Sequence, residues 1–162
     1  MSTSDSPIVA IDSMVLVWGI REDGDWEQIE RAKWLFLELE EQGAQVLLPS
    51  VALAEYLTPV DVDKQGEVIS TLNTRFIIPP FDVKCAALAS RLFRQGKSRV
   101  KKGAKDSRRS LRADTLIIAT AAVHGARVFY SNDKRCRKLV SDCVPRLEAK
   151  DLPTMAPNLF AQ

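Results

Sequence analysis

The stretch from Arg112 to Asp133 limits what this chain can fold into more than any other. After Asp114, the residues Leu116, Ile117, Ala119, Thr120, Ala121 and Val123 leave almost no polar face. That pattern predicts a helix that opens at Asp114 and lies buried against a sheet. Gly125 predicts its end. The run Arg127-Val128-Phe129-Tyr130 is short, β-branched and aromatic, as expected of a strand in a covered parallel sheet, and Ser131-Asn132-Asp133 follows at its carboxyl end. The unit therefore carries one acid at a helix start and another just past a strand. In open α/β sheets the functional crevice lies at the carboxyl ends of the strands, where both acids would emerge.

With 162 residues, 46% hydrophobic and 27% charged, the chain is expected to form one domain over residues 1–162. Its core should run from about 8 to 149, with a basic insertion at about 94–112 and an irregular tail at 153–162. The first residues are polar and no apolar run reaches the length of a membrane span, so the expected location is cytoplasmic, with no membrane association. Cys85, Cys136 and Cys143 are odd in number and lack CxxC spacing, which indicates neither a disulfide framework nor a structural zinc site. The single histidine, His124, ends the buried helix, where a cation suits the helix dipole, and no Ser or Cys nucleophile motif accompanies it. The net charge of +2 conceals an asymmetry. Between Arg91 and Arg112 stand ten basic residues and one acid, Asp106, a local balance of +9 in an otherwise acidic chain. Such a block suits a polyanion; read more plainly, it is a solvated loop loosened by Gly96 and Gly103.

Along the chain, Ile8-Val9-Ala10-Ile11 reads as a buried first strand ending at Asp12. A helix from about Trp26 to Gln42 stops at Gly43, and Trp34 and Leu37 widen its apolar face, as ordinary core or as a dimer surface. Gln45 to Pro49 is the second strand, and Ser50 reads as the N-cap of a helix to Leu57 that carries Glu55. Val60 to Asp63 reads as a loop, Glu67 to Thr74 as a helix and Arg75 to Ile78 as a third strand. A long helix from Asp82 then enters the basic block. Lys134 to Val140 reads as a helix and Arg146 to Ala149 as an edge strand. No internal repeat and no phosphate loop is present, which argues against dinucleotide or P-loop chemistry.

Asp12, Glu55, Asp114 and Asp133 each fall near a predicted strand exit or the start of the helix after one, and in a parallel sheet those ends converge. Four gathered carboxylates repel one another unless a cation neutralises them, and Mg²⁺ or Mn²⁺ is the hard ion that oxygen ligands favour. Such an ion can promote hydrolysis at phosphorus without a histidine or serine, which suits a chain with one histidine. The plainer alternative makes Asp12, Asp114 and Asp133 ordinary cap or turn acids.

Four segments together resemble the PIN domain, in particular the VapC-like ribonuclease toxins of toxin–antitoxin pairs. They are Val9-Ala10-Ile11-Asp12-Ser13, Leu48-Pro49-Ser50-Val51-Ala52-Leu53-Ala54-Glu55, Arg112 to Ala121, and Ser131-Asn132-Asp133. The resemblance runs from Ile8 to roughly Ala149. It implies a three-layer α/β/α sandwich with a central, mostly parallel sheet of four or five strands. It also implies a Mg²⁺- or Mn²⁺-dependent endoribonuclease. Asp12, Asp114 and Asp133 would be metal ligands, Glu55 a ligand directly or through water, and Ser131 a catalytic hydroxyl beside them. Arg99, Lys101, Lys102, Lys105, Arg108, Arg109 and Arg112 are the expected RNA contacts. An antitoxin protein and a second copy in a homodimer are the expected partners. The chain departs from many relatives in having Lys134, Arg135 and Arg137 where they carry a further Asp or Asn. A non-catalytic RNA-binding or regulatory module of the same fold is the alternative. A phosphoacceptor receiver domain is disfavoured, because Asp12-Ser13-Met14 supplies no adjacent acids.

Overall fold

The apolar segment Ile8–Ile11 forms β1 at the middle of a four-stranded sheet, with Val9, Ala10 and Ile11 buried. A computed structural model describes residues 6–100 and 105–154, and for 105–107 the backbone alone. The strands β2 (Gln45–Leu47), β3 (Val128–Tyr130) and β4 (Glu148–Lys150) complete the sheet in the order β2-β1-β3-β4. Every pairing is parallel. Val9 lies opposite both Val46 and Val128, and Phe129 pairs with Ala10 on one side and Ala149 on the other. Phe129 is fully buried, as the covered-sheet reading of its strand requires.

Between the strands run α1 (Ser13–Leu16), α2 (Trp26–Glu41), α3 (Ser50–Leu57), α4 (Val62–Asn73), α5 (Val83–Lys97), α6 (Lys105–Val123) and α7 (Lys134–Cys143). The chain steps from β1 outward to β2, then returns past β1 to β3 and on to β4. Since parallel crossovers are right-handed, the helices between β1 and β2 fall on one face and those after β2 on the other, as a three-layer sandwich requires. α5 packs on α6 and α7, as this arrangement requires. β1 and β3 are neighbours whose connections leave in opposite directions, so the topological switch point lies at their carboxyl ends. The ladder continues one bond past each strand there. Asp12 N–H donates to Tyr130 O (3.0 Å) and Ser131 N–H to Lys150 O (3.0 Å), which fixes the residues that follow both strands.

Several local expectations change. The helix carrying Asp114 does not begin there: α6 starts nine residues earlier, so the second half of the basic block is helical. The run of charges and serines hid it, because the helix has no apolar stripe until it reaches the sheet. Ser50 is the first residue of α3 instead of its cap, with Pro49 preceding it. Val62 and Asp63 belong to α4. The third strand shrinks to one bridge, Ile77 with Leu47, where Pro79 and Pro80 deny further amide donors. A π-helical stretch, Val17–Arg21, continues α1 and gave no sign in the sequence. α2 follows expectation, opened by an Asp25–Gln28 capping box and stopped at Gly43 with φ of 62°. Among the described residues no helix is long and apolar enough to cross a membrane.

Candidate active site

A cleft of about 400 Å³ opens at the switch point, and Asp12, Glu55, Asp114, Ser131 and Asp133 all line it. Residues 12, 55, 114 and 133 thus meet although three different connections separate them.

Each carboxylate is held differently. Asp12 caps α1: its Oδ1 accepts from Ser13 N–H (2.8 Å) and its Oδ2 from the fully buried Ser131 hydroxyl (2.8 Å). Burial still pushes its pKa above the ordinary value, against those two bonds and with the help of Asp133. Ser13 turns its hydroxyl to Glu55 Oε2 (2.7 Å). Glu55 is exposed as a residue, yet partial burial raises its pKa against the Ser13 bond, and Asp12 adds to the shift. Asp133 caps α7, with Oδ1 accepting from Arg135 N–H (2.8 Å) and Cys136 N–H (3.4 Å). The cap role foreseen as a plain alternative is therefore real for Asp12 and Asp133, and it orients acids that still line the cleft.

Asp114 differs from the other three. It sits in the middle of α6, and among the described residues no donor bonds its carboxylate. Burial first, and then Asp12, Asp133 and Glu55, push its pKa up to about 7. Burial first, and then Asp114, Asp12 and Asp133, drive the thiol of the buried Cys136 far up, which keeps it protonated and unreactive.

The donor set suits a hard divalent ion: oxygen ligands of one sign, one of them without a partner. Among the described residues, no three of these carboxylates bring oxygens within 4.8 Å of one another.

Of the basic residues, Arg108 and Arg109 are exposed on α6, the helix of Asp114. Arg99 is paired with Asp142 (2.7 Å), and Arg112 lies over the Phe93 ring at 4.7 Å. Lys101 and Lys102 lie outside the described residues, as does the side chain of Lys105. An adjoining hollow of about 500 Å³ shares Asp114 and Ser110 with the acid cleft and is rimmed by Arg99, Arg135 and Lys138. Sequence reasoning assigned no role to Ser13, although its place beside Asp12 at a strand exit was the available signal. It also missed a second cluster, Asp82, Cys85 and His124, each with one ligand atom within 4.8 Å of the others. Cysteine spacing could not reveal a group closed by a histidine from another helix.

The sequence profile of the PIN domain matches residues 9–140. The chain belongs to the PIN domain family. Among curated proteins nothing matches it. Solved structures share the PIN fold. VapBC2 from Rickettsia felis, bound to a DNA fragment from its promoter, matches with a TM-score of 0.60 and 17% identity, over 90% of this chain and 99% of that one. VapBC-1 from nontypeable Haemophilus influenzae matches with 0.62 and 12%, over 90% and 98%. FitAcB from Neisseria gonorrhoeae matches with 0.54 and 20%, over 87% and 95%. At such identities the likeness speaks for the fold alone.

Proposed function

We propose that this PIN domain is a Mg²⁺- or Mn²⁺-dependent endoribonuclease of VapC type, with Asp12, Glu55, Asp114 and Asp133 as its metal site. The family is in general one of nucleases. The observation that carries the reading is Asp114, half-buried in a cleft lined by three other acids, with its pKa pushed up to about 7. A protein keeps so costly a group when a ligand offsets the cost. A bound divalent ion would supply charge neutralisation and Lewis-acid polarisation at the scissile phosphate.

The chain's own residues would do the rest. Ser131 and Ser13 aim Asp12 and Glu55, and the first turn of α7 holds Asp133. The buried half of α6 anchors Asp114 against the sheet, with Ile117 and Ile118 in the core. Arg108 and Arg109, exposed on the same helix, and Arg135 beside the cleft would receive the RNA backbone. We extend the reading to two partners. The first is an antitoxin filling the cleft, supported by solved neighbours that are toxin–antitoxin assemblies, including one from Klebsiella pneumoniae. The second is another copy of the chain, supported by the exposed Trp34 and Leu37 on α2.

The test is cleavage of total RNA with Mg²⁺, Mn²⁺ or EDTA, with the cut ends mapped. Cleavage should require the ion, and Asp114→Asn should slow it at least about 100-fold, since metal stabilisation of the transition state is worth several kcal/mol. RNA binding without cleavage under any ion would instead make this a non-catalytic module.

A further inference from the structure

We infer that Asp82, Cys85 and His124 form a binding site for a single Zn²⁺ ion, separate from the acid cleft. One ligand atom from each lies within 4.8 Å of the other two. The ligands of a tetrahedral zinc ion stand roughly 3.5 Å apart, as bond lengths of about 2.0–2.3 Å require, and Asp82 Oδ2 already lies 3.7 Å from His124 Nε2. Small rotations of the side chains close the rest.

The local sequence explains how the group assembles. Asp82 caps α5, its Oδ1 taking the Cys85 N–H at 2.9 Å, which leaves Oδ2 turned toward the histidine. Cys85 follows at i+3 on the same face of the first turn. His124 arrives from the neighbouring helix, just past the last turn of α6, with its N–H bonded to Thr120 O (3.1 Å). Pro80 O stands 3.0 Å from His124 Nε2, a contact that zinc would replace by taking the Nε2 lone pair, with water in the fourth position.

The amino end of α5 suits the Asp82 carboxylate and the carboxyl end of α6 suits a cation, whereas burial raises the Cys85 thiol above its ordinary pKa, so the ion must displace the proton there. One thiolate, one carboxylate and one neutral imidazole balance a 2+ charge. The set is too soft for Mg²⁺ and typical of zinc with an open position. Loading releases one proton, from the Cys85 thiol, with no change of oxidation state. Access is available, because the His124 and Asp82 side chains are 25% and 41% exposed while Cys85 forms the buried base. His124 lies ten residues beyond Asp114, roughly 15 Å along the helix, so the two sites load independently. A zinc ion here would staple the start of α5 to the turn that leads into β3.

The full chain, stripped by chelation, would be titrated with Co²⁺. A near-ultraviolet sulfur-to-cobalt band should saturate at one ion per chain and vanish on adding Zn²⁺. Cys85→Ser should abolish the band. His124→Gln and Asp82→Asn should each weaken Zn²⁺, read by competition with a coloured chelator, at least about tenfold, the loss that even an outer-shell partner costs. Asp114→Asn should change none of this, which keeps the result independent of the nuclease reading. Three results would overturn the site: no thiolate band, a band that survives Cys85→Ser and disappears in Cys143→Ser, or equal Zn²⁺ affinity in the wild type and both other variants. Circular dichroism of each variant excludes misfolding as the cause of a loss.

Discussion

Asp114 is more expensive to ionise in the fold than in the unfolded chain, and the sign of that difference is testable. Its pKa rises from 3.8 to about 7, so the folded state favours the protonated form. Stability contributed by that proton is fully present below the unfolded value and is lost as pH climbs toward 7. Asp12 and Glu55 shift in the same direction. In EDTA, melting temperature should therefore fall between pH 5 and pH 8. Asp114→Asn should flatten that slope and melt higher than wild type at pH 8, by roughly 5 °C for a difference of one to two kcal/mol. Mn²⁺ should remove the wild type's disadvantage by replacing the proton, and a calorimetric series across pH and metal reads all three. At this scale the sequence revealed which acids meet but not how. Asp12 and Asp133 were readable as strand-exit acids because β1 and β3 are unambiguous. The serine that ties Asp12 to Glu55 was not, since it acts through a contact across forty-two positions.

Among the elements, the π-helical stretch Val17–Arg21 has the tightest fit. It carries Trp18, which lines the acid cleft, and Gly19, where an added Cβ would come within 2.2 and 2.7 Å of the Phe36 ring on α2. The glycine is thus what lets the wall of the cleft approach α2. Gly19→Ala, which would gain up to about 1 kcal/mol in an open helix, should here lose about 1–3 kcal/mol by overpacking. Urea unfolding measures it, and a neutral or stabilised variant would contradict the packing. Elements with a dense apolar pattern were read correctly: β1, β2, β3 and α2 lie within a residue or two of expectation. Those that failed depend on what surrounds them. The first half of α6 is a polar helix held by its own buried second half, Arg75 to Ile78 keeps only one bridge because two prolines end it, and the π stretch exists to fit a neighbour.

Across the whole molecule, charge is divided by sequence position and brought together by the fold. The +9 segment from Arg91 to Arg112 runs into the helix that bears the most perturbed acid of the cleft. RNA binding should accordingly fall steeply with salt. Reversing Arg108 and Arg109 together to glutamate should weaken it and reduce the slope of log K against log salt by roughly 1 for each phosphate that is no longer neutralised. Filter binding over a salt series checks this. An unchanged slope would place the grip on other cations, Arg135 and Lys138 first.

Because α6 is continuous from Lys105 to Val123, Arg108 and Asp114 belong to one rigid rod, roughly 9 Å apart along its axis. On the proposed nuclease reading the helix would act as a ruler, holding a strand seized at Arg108 at one fixed distance from Asp114, whatever bases happen to lie between.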